Sequence, residues 1–129
     1  MNMNREIKFR AWDKEANSWY DDSNQHLVIN LDGTLTNCWN GELMEDYTER
    51  IILIPFTGLK DKNGVEIYEG DIVECFNDGL SEVLFRKGSF GTLTYTSRGV
   101  DFYTFNEVYG ACEIIGNIYE NPEWLEVEV

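Results

Sequence analysis

Apolar and polar side chains alternate along much of the chain, with the two-residue period that is typical of half-buried β-strands. In segment 7–12, for example, Ile7, Phe9 and Ala11 point to one side and the side chains between them point to the other. Turn-forming residues close most of these segments. The pattern predicts strands at residues 7–12, 26–31, 34–39, 50–56, 71–76, 81–86, 92–96, 100–105 and 112–119.

Particular turn residues indicate how neighbouring strands connect. Asp32-Gly33 and Asn63-Gly64 each separate two strand-like runs, and both favour tight hairpin turns because glycine accepts positive φ. Pro55 lacks a backbone N–H, so we expect it at the end of its strand or on a sheet edge. Residues 40–47 are acidic and predict one or two helical turns. Asn121-Pro122 predicts the start of a short C-terminal helix, with the asparagine as N-cap.

The number and spacing of these short strands are typical of a β-barrel or a β-sandwich. With 129 residues, 43% of them hydrophobic and 14% aromatic, the chain is sized for one domain with a substantial core. The side chains that we expect to build this core are Phe9, Leu27, Ile29, Ile52, Ile54, Phe56, Ile67, Ile72, Val73, Val83, Phe85, Ile115 and Ile118.

The chain is strongly acidic, with 24 Asp and Glu against 10 Lys and Arg and a formal net charge of −14 at pH 7. Phosphate binding depends on Lys and Arg that displace counter-ions, so direct binding to nucleic acid or to an anionic membrane is disfavoured. Two interpretations of the acidity stay open: solubility, or mimicry of nucleic acid that occupies a basic protein. The N-terminus lacks a signal-peptide pattern and no apolar run could span a membrane, so we expect a cytoplasmic protein.

Residues that commonly carry chemistry are sparse. Cys38, Cys75 and Cys112 follow one another at intervals of 37 residues. This odd count and wide spacing predict inert free thiols in a reducing cytosol and disfavour a zinc site, whose ligands are usually close in sequence. His26, the one histidine of the sequence, falls on the polar side of its strand and is expected at the surface. We expect no cofactor.

Four acidic residues, Asp61, Glu66, Glu69 and Asp71, lie close together in the sequence. Carboxylates that hold Mg²⁺ or Mn²⁺ can activate a water molecule, so a metal-dependent hydrolase is one alternative function. A solvated acidic rim is the other interpretation. A calcium loop is disfavoured because the segment is too short for the required spacing of ligands.

Three segments resemble the YopX family of phage and prophage proteins. They are IKFRAWD at residues 7–13, FTGLKDKNGVEIYEGDIV at residues 56–73 and IIGNIYENPE at residues 114–123. The resemblance implies a mainly β fold with a small SH3-like barrel in a single domain over residues 1–129. We expect an additional N-terminal β-sheet or hairpin subdomain over residues 1–50, the barrel over residues 51–120 and the short C-terminal helix. The family carries no assigned catalytic residues.

A non-enzymatic module that binds a host or phage protein in the bacterial cytoplasm is the leading functional hypothesis. The chain has more aromatic residues than a core of this size needs, and tyrosine and tryptophan concentrate at protein interfaces. An exposed edge at residues 50–54 could pair between two copies, so a homo-oligomer stays open. The side chains that we expect to contact a partner are Trp19, Tyr20, Tyr68, Tyr103 and Tyr109.

Overall fold

The computed structural model describes residues 6–23, 25–75, 79–96, 99–105 and 109–125. The protein is mainly β, as the alternating pattern predicts. Its chain forms two compact units. The N-terminal unit comprises residues 9–54, and the C-terminal unit comprises residues 55–129 together with residues 1–8.

Short strands joined mostly by tight turns make up the described residues. In chain order the strands are β1 (Phe9–Asp13), β2 (Ser18–Trp19), β3 (His26–Ile29), β4 (Leu35–Trp39), β5 (Glu42–Asp46), β6 (Ile51–Lys60), β7 (Glu66–Tyr68), β8 (Asp71–Cys75), β9 (Leu80–Arg86), β10 (Ser89–Thr96), β11 (Gly99–Thr104) and β12 (Cys112–Asn117). Two 3₁₀ turns lie at Tyr109–Ala111 and Pro122–Leu125. No helix within these ranges is long and apolar enough to cross a membrane.

The N-terminal unit contains two groups of strands. β3, β4 and β5 form an antiparallel sheet in that order, and the predicted Asp32-Gly33 turn connects the first two. β1 pairs with β2 on one side and with the first residues of β6 on the other. The core of the unit is a buried cluster of Leu35, Tyr47 and Ile51, against which Ala11, Tyr20, Leu27 and Leu53 pack.

Burial along β1 differs from the sequence prediction at Phe9 and Trp12, while Ala11 packs against the core. Trp12 is buried, whereas Phe9 is 41% exposed. Trp12 lies opposite Trp19 in the β1–β2 pair, and their rings meet edge to face with centroids 4.9 Å apart. Alternation defines two faces of a strand, but it does not determine which one is buried when both carry large apolar side chains. Here the contact with Trp19 of β2 helps to cover Trp12.

The C-terminal unit is built on an antiparallel five-stranded sheet in the order β11-β10-β9-β8-β12, and this sheet curls into a half-barrel. The second part of β6 pairs with β7 in the same unit. The helix predicted after Asn121 is only the short 3₁₀ turn at Pro122–Leu125. The buried core of the unit consists of Ile67, Val73, Val83, Phe105 and Cys112.

The glycine-rich segment at residues 56–73 forms turns and strand pairs. Asn63-Gly64 lies at the tip of the β6–β7 hairpin, as predicted, and Gly64 has a φ of 81°. Gly70 has a φ of 86°, and a Cβ atom there would lie 2.8 Å from Cε2 of Tyr119. Both the backbone angle and the packing therefore require glycine at position 70.

Two predictions about local structure are wrong. β6 continues through Pro55 instead of ending there, because the proline carbonyl oxygen still accepts a hydrogen bond from the N–H of Glu69 at 3.1 Å. Residues 40–47, predicted to be helical, contain the exposed strand β5. A bulge lies between β4 and β5, and Asn37 Oδ1 accepts a hydrogen bond from the N–H of Glu45 at 2.8 Å across it. Pairing with β4 thus overrides the weak helical preference of this segment.

Most of the predicted core is buried or partly buried. Phe9, Ile29 and Phe85 are 41%, 45% and 52% exposed, so their assignment to the core is wrong. Phe85 packs edge to face on Phe90, with centroids 5.0 Å apart, at the exposed end of β9. The prediction also omitted several buried side chains, namely Trp12, Leu35, Tyr47, Ile51, Phe105 and Cys112.

The three cysteines are not all free thiols, contrary to the sequence prediction. Cys75 of β8 lies directly opposite Cys112 of β12 with Cα atoms 4.2 Å apart, and the two residues form a disulfide. Cys38 remains a free, half-buried thiol. Spacing along the sequence did not reveal the bond because strand pairing brings the two residues together. The pairing also removes the argument for a reducing compartment that rested on unpaired thiols.

We expect one reactive thiol per denatured chain before reduction and three after it, because Cys38 alone of the three cysteines has a free Sγ. A chromogenic disulfide reagent in guanidinium chloride measures both counts. The Cys38→Ser variant is the control and should show no thiol before reduction and two after it. Three thiols in the unreduced native sequence would contradict the disulfide.

Candidate functional site

Trp19 and Tyr20, two of the five side chains that the sequence assigns to partner contact, line one groove of the N-terminal unit. The groove has a volume of about 550 Å³ and opens to solvent. Residues of β1, β3 and β6 form most of the remaining lining. Its apolar members are Phe9, Ala11, Leu27, Ile29 and Leu53, and its charged members are Arg10 and Asp22.

The groove lies where the sequence predicts a closed core. Phe9 and Ile29 were both assigned to that core, and both line the groove while remaining 41% and 45% exposed. Leu27, on the same face of β3 as Ile29, is half-buried and packs against the core cluster of the unit. The apolar face of β3 is therefore half-buried at Leu27 and exposed at Ile29. Open apolar surface of this kind commonly marks a binding site.

Trp19 is held in place by aromatic and cationic neighbours. Its ring meets Trp12 edge to face, and the guanidinium carbon of Arg10 lies 4.6 Å from the centroid of a Trp19 ring. Contacts of this kind restrict the rotamers of an aromatic side chain and so lower the entropy that is lost when a partner binds. The Trp19 side chain is thus restrained by its neighbours.

Tyr20 is fixed by hydrogen bonds at both ends. Its backbone N–H donates to the Ala11 carbonyl oxygen at 2.9 Å, and its hydroxyl donates to the Gln25 carbonyl oxygen at 2.6 Å. Burial raises the pKa of Tyr20, and the neighbouring Tyr47 and Asp22 raise it further. The hydroxyl is therefore protonated at neutral pH and acts as a donor.

Asp22 lines the groove and organises the start of β3. Its Oδ1 accepts a hydrogen bond from the Leu27 N–H at 2.6 Å, and its Oδ2 lies 3.2 Å from Nδ1 of His26. The His26 side chain is 66% exposed, in line with the surface position expected for it. Asp22 and the groove residue Leu53 were not found from the sequence, because neither belongs to a recognisable motif.

The other three predicted contact residues belong to the C-terminal unit. Tyr68 of β7 is half-buried and packs against Phe56, with ring centroids 5.4 Å apart. Tyr103 of β11 is 49% exposed. Tyr109 begins a 3₁₀ turn, and its side chain lies outside the described part of the structure. Sequence alone could not separate these tyrosines from the groove pair, since aromatic residues are enriched both in strands and at interfaces.

Asp61, the first of the four candidate metal ligands, is buried and holds the tip of the β6–β7 hairpin. Its Oδ1 accepts hydrogen bonds from the N–H groups of Asn63 and Val65 at 2.9 Å each, and its Oδ2 accepts one from Ile114 at 3.0 Å. Burial alone would raise the pKa of Asp61, but the three N–H donors outweigh it and hold the pKa below its usual value. This carboxylate ties the hairpin tip to β12.

The remaining candidate ligands each contact a different group. Glu66 pairs with Lys8, Glu69 Oε1 accepts the Phe85 N–H at 3.2 Å, and Asp71 Oδ2 accepts the Tyr68 N–H at 2.8 Å. Within the described ranges, no three side chains of His, Cys, Asp or Glu are arranged to hold a metal ion. The contacts that these four carboxylates do make connect strands and turns.

Glu82 of β9 is half-buried, and its pKa is raised by burial and then by the charge of Glu69. An acid with a raised folded-state pKa destabilises the fold when ionised, and this penalty disappears as pH falls through that pKa. We therefore expect Glu82→Gln to raise the free energy of unfolding at pH 7 by up to about 1 kcal/mol. Urea denaturation at several pH values measures the effect, with the exposed Glu42→Gln as control. A gain that persists unchanged in acid would contradict this account.

A sequence model described as YopX protein matches residues 8–126, a range that includes the whole groove. The chain belongs to the YopX family. A YopX relative is the SPbeta prophage-derived uncharacterized protein YopX of Bacillus subtilis strain 168. The two sequences are 30% identical over 135 residues, a match that covers 92% of this chain and 95% of the relative.

A crystal structure of protein yopX from Bacillus subtilis matches the fold with a TM-score of 0.58 at 28% sequence identity. The match covers 95% of this chain and 100% of the other. The YopX resemblance seen in the three sequence segments is thus confirmed by family, sequence and structure. The relative's name assigns no activity to the YopX fold, so a functional proposal has to come from the groove itself.

Proposed function

We propose that this YopX-family protein is a binding module whose N-terminal groove receives an apolar side chain of a partner protein, either a host or a phage protein in the bacterial cytoplasm. One observation carries the proposal. Phe9 and Ile29, which the sequence pattern assigns to a core, line an open groove beside Trp19 and Tyr20. A partner side chain would complete the apolar contacts that the fold leaves open.

The composition of the groove supports a protein partner. Energetically important interface residues are commonly Trp, Tyr and Arg around an apolar centre, with polar groups at the rim. Trp19 and Tyr20 are restrained by neighbours, so little side-chain entropy is lost on binding. Arg10 and Asp22 supply charges of both signs beside the apolar centre and so favour a partner that presents matched polar groups.

Combined substitution of Phe9→Ser and Ile29→Ser tests the proposal. Both side chains are close to half exposed, so their loss should affect binding more than folding. The matched control is Leu31→Ser, which removes a fully exposed apolar side chain two residues beyond Ile29 and outside the groove lining. Tagged proteins would capture partners from a bacterium that carries the gene, and the affinity would then be measured with the purified partner.

We expect the double variant to bind the partner at least about tenfold more weakly than the native sequence, and the Leu31→Ser control to bind unchanged. Circular dichroism and a melting curve check that both variants are folded. The proposal would be contradicted if the partner bound the double variant as tightly as the native sequence but no longer bound a Val100→Ser variant, which is altered in the C-terminal unit.

A further inference from the structure

Within the described residues, β3 is the end strand of its sheet and has one edge that faces away from β4. The N–H of Asn30 donates to the Thr34 carbonyl oxygen at 2.9 Å, which makes this a hydrogen-bonded pair. Because bonded pairs recur every second residue in an antiparallel ladder, Val28 is also bonded to β4. The backbone groups of Leu27 and Ile29 therefore point to the outer edge.

This outer edge borders the groove. The N–H of Leu27 points away from β4 and reaches Asp22 Oδ1 at 2.6 Å, and Asp22 itself lines the groove. Ile29, the next residue with an outward N–H, also lines it. An extended chain segment laid along the edge could pair with Ile29. Every second side chain of that segment would then face the groove beside Phe9 and Trp19.

The charge of the N-terminal unit favours a basic segment. Residues 9–54 contain nine Asp and Glu against three Lys and Arg. Asp21 and Asp22 are exposed beside the groove, and hydrogen bonds from Ser23 lower the pKa of Asp21, which keeps it ionised at neutral pH. Arg10, the cation of the groove, is held over the Trp19 ring. Attraction of a basic chain and repulsion of an acidic one follow from this distribution.

We propose that the outer edge of β3 binds an extended, basic segment of the partner protein by strand addition, with an apolar side chain of that segment seated in the groove. The inference rests on the groove being the binding site, and it adds the conformation and charge of the partner. Main-chain hydrogen bonds to β3 supply affinity, while the groove selects apolar side chains at alternate positions.

Three synthetic peptides test the inference: KVKFKVK, the same peptide with glutamate in place of lysine, and the basic peptide with alternate amides N-methylated. Each is titrated into the ¹⁵N-labelled full chain and followed by NMR. We expect the basic peptide to shift the amide signals of β3 and of the groove. The acidic and N-methylated peptides should bind at least about tenfold more weakly, because one lacks charge complementarity and the other lacks main-chain donors.

Two variants separate strand addition from simple insertion of a side chain. Ile29→Pro removes the outward N–H and leaves the β3–β4 bonds in place, whereas Ile29→Ala shortens the same side chain and keeps the N–H. Strand addition predicts that the proline variant binds the basic peptide about tenfold more weakly than the alanine variant. If the proline variant does not fold, the N-methylated peptide decides the same question.

Equal affinity of the two Ile29 variants, or of the methylated and unmethylated peptides, would overturn strand addition and leave the groove as a site for a side chain alone. Equal binding of the acidic and basic peptides would overturn the charge preference. Absence of any binding by the basic peptide would overturn the inference as a whole. The groove proposal is judged separately, by the affinity of the purified partner for the Phe9→Ser, Ile29→Ser variant.

Discussion

Replacement of Asp61 by alanine should lower the free energy of unfolding by about 3 kcal/mol. Asp61 is 6% exposed, and its carboxylate accepts three backbone hydrogen bonds, from Asn63, Val65 and Ile114. Alanine would leave all three N–H groups without their acceptor, and the one on Ile114 anchors the hairpin tip to β12. Urea denaturation at pH 7 measures the loss.

The matched control is Asp32→Ala, which removes an exposed aspartate that caps Thr34 in another hairpin turn and should change stability little.

The pH dependence of stability adds a second test of the role of Asp61. Because the folded-state pKa of Asp61 is lowered, its contribution is complete above about pH 5 and is lost as pH falls through that lower pKa. The difference in free energy of unfolding between the native sequence and the Asp61→Ala variant should therefore shrink as the pH falls. A variant as stable as the native sequence at pH 7 would refute the role assigned to Asp61.

Asp13→Ala should cost about 2 kcal/mol of stability. Asp13 is 4% exposed, and Arg50 donates to both of its oxygens, from Nε at 3.0 Å and from Nη2 at 2.8 Å. The same carboxylate also accepts the N–H groups of Glu15 and Ala16, at 3.0 Å and 3.2 Å. We place the cost below that of a fully buried pair because Arg50 keeps access to water when Asp13 is lost. Thermal and urea denaturation measure it.

Glu15→Gln is the control for this ion pair. Glu15 Oε2 lies 3.0 Å from Nη1 of the same arginine, but its side chain is 70% exposed, so its loss should be close to neutral. Arg50→Lys keeps the charge but loses the two parallel hydrogen bonds to Asp13. It should therefore retain only part of the pair's contribution to the free energy of unfolding. Since Arg50, followed by backbone donors, lowers the pKa of Asp13, the contribution should fade as pH drops below about 4. Equal destabilisation by Glu15→Gln and Asp13→Ala would show that burial of the pair is unimportant.

Features set by local sequence could be predicted, and features set by packing between distant segments could not. Asn63-Gly64 lies at its hairpin tip because the turn depends on the φ values that those two residues accept. The disulfide between Cys75 and Cys112 depends on the register of β8 against β12, which no spacing along the chain encodes. Pro55 was expected at a strand end or on a sheet edge, but β6 continues through it, and its carbonyl oxygen accepts a hydrogen bond from Glu69.

The candidate site shows the same division. Trp19 and Tyr20 were chosen as candidate contact residues from residue type, because aromatic side chains in excess of the core are typical of interfaces. Phe9 and Ile29 were recognised as apolar positions but assigned to the core. Whether an apolar face is covered depends on which other elements reach it, and here the fold leaves the groove open at those two positions. Alternation along a strand carries no information about that coverage.

Site-specific photocrosslinking tests most directly whether the N-terminal groove is where a partner binds. The crosslinking amino acid p-benzoylphenylalanine would replace Phe9 in the groove or, in a second protein, Val65, which is 52% exposed in the C-terminal unit. Irradiation with the purified partner should give a discrete adduct from position 9 and none from position 65. An adduct from position 65 together with none from position 9 would contradict the assignment of the groove.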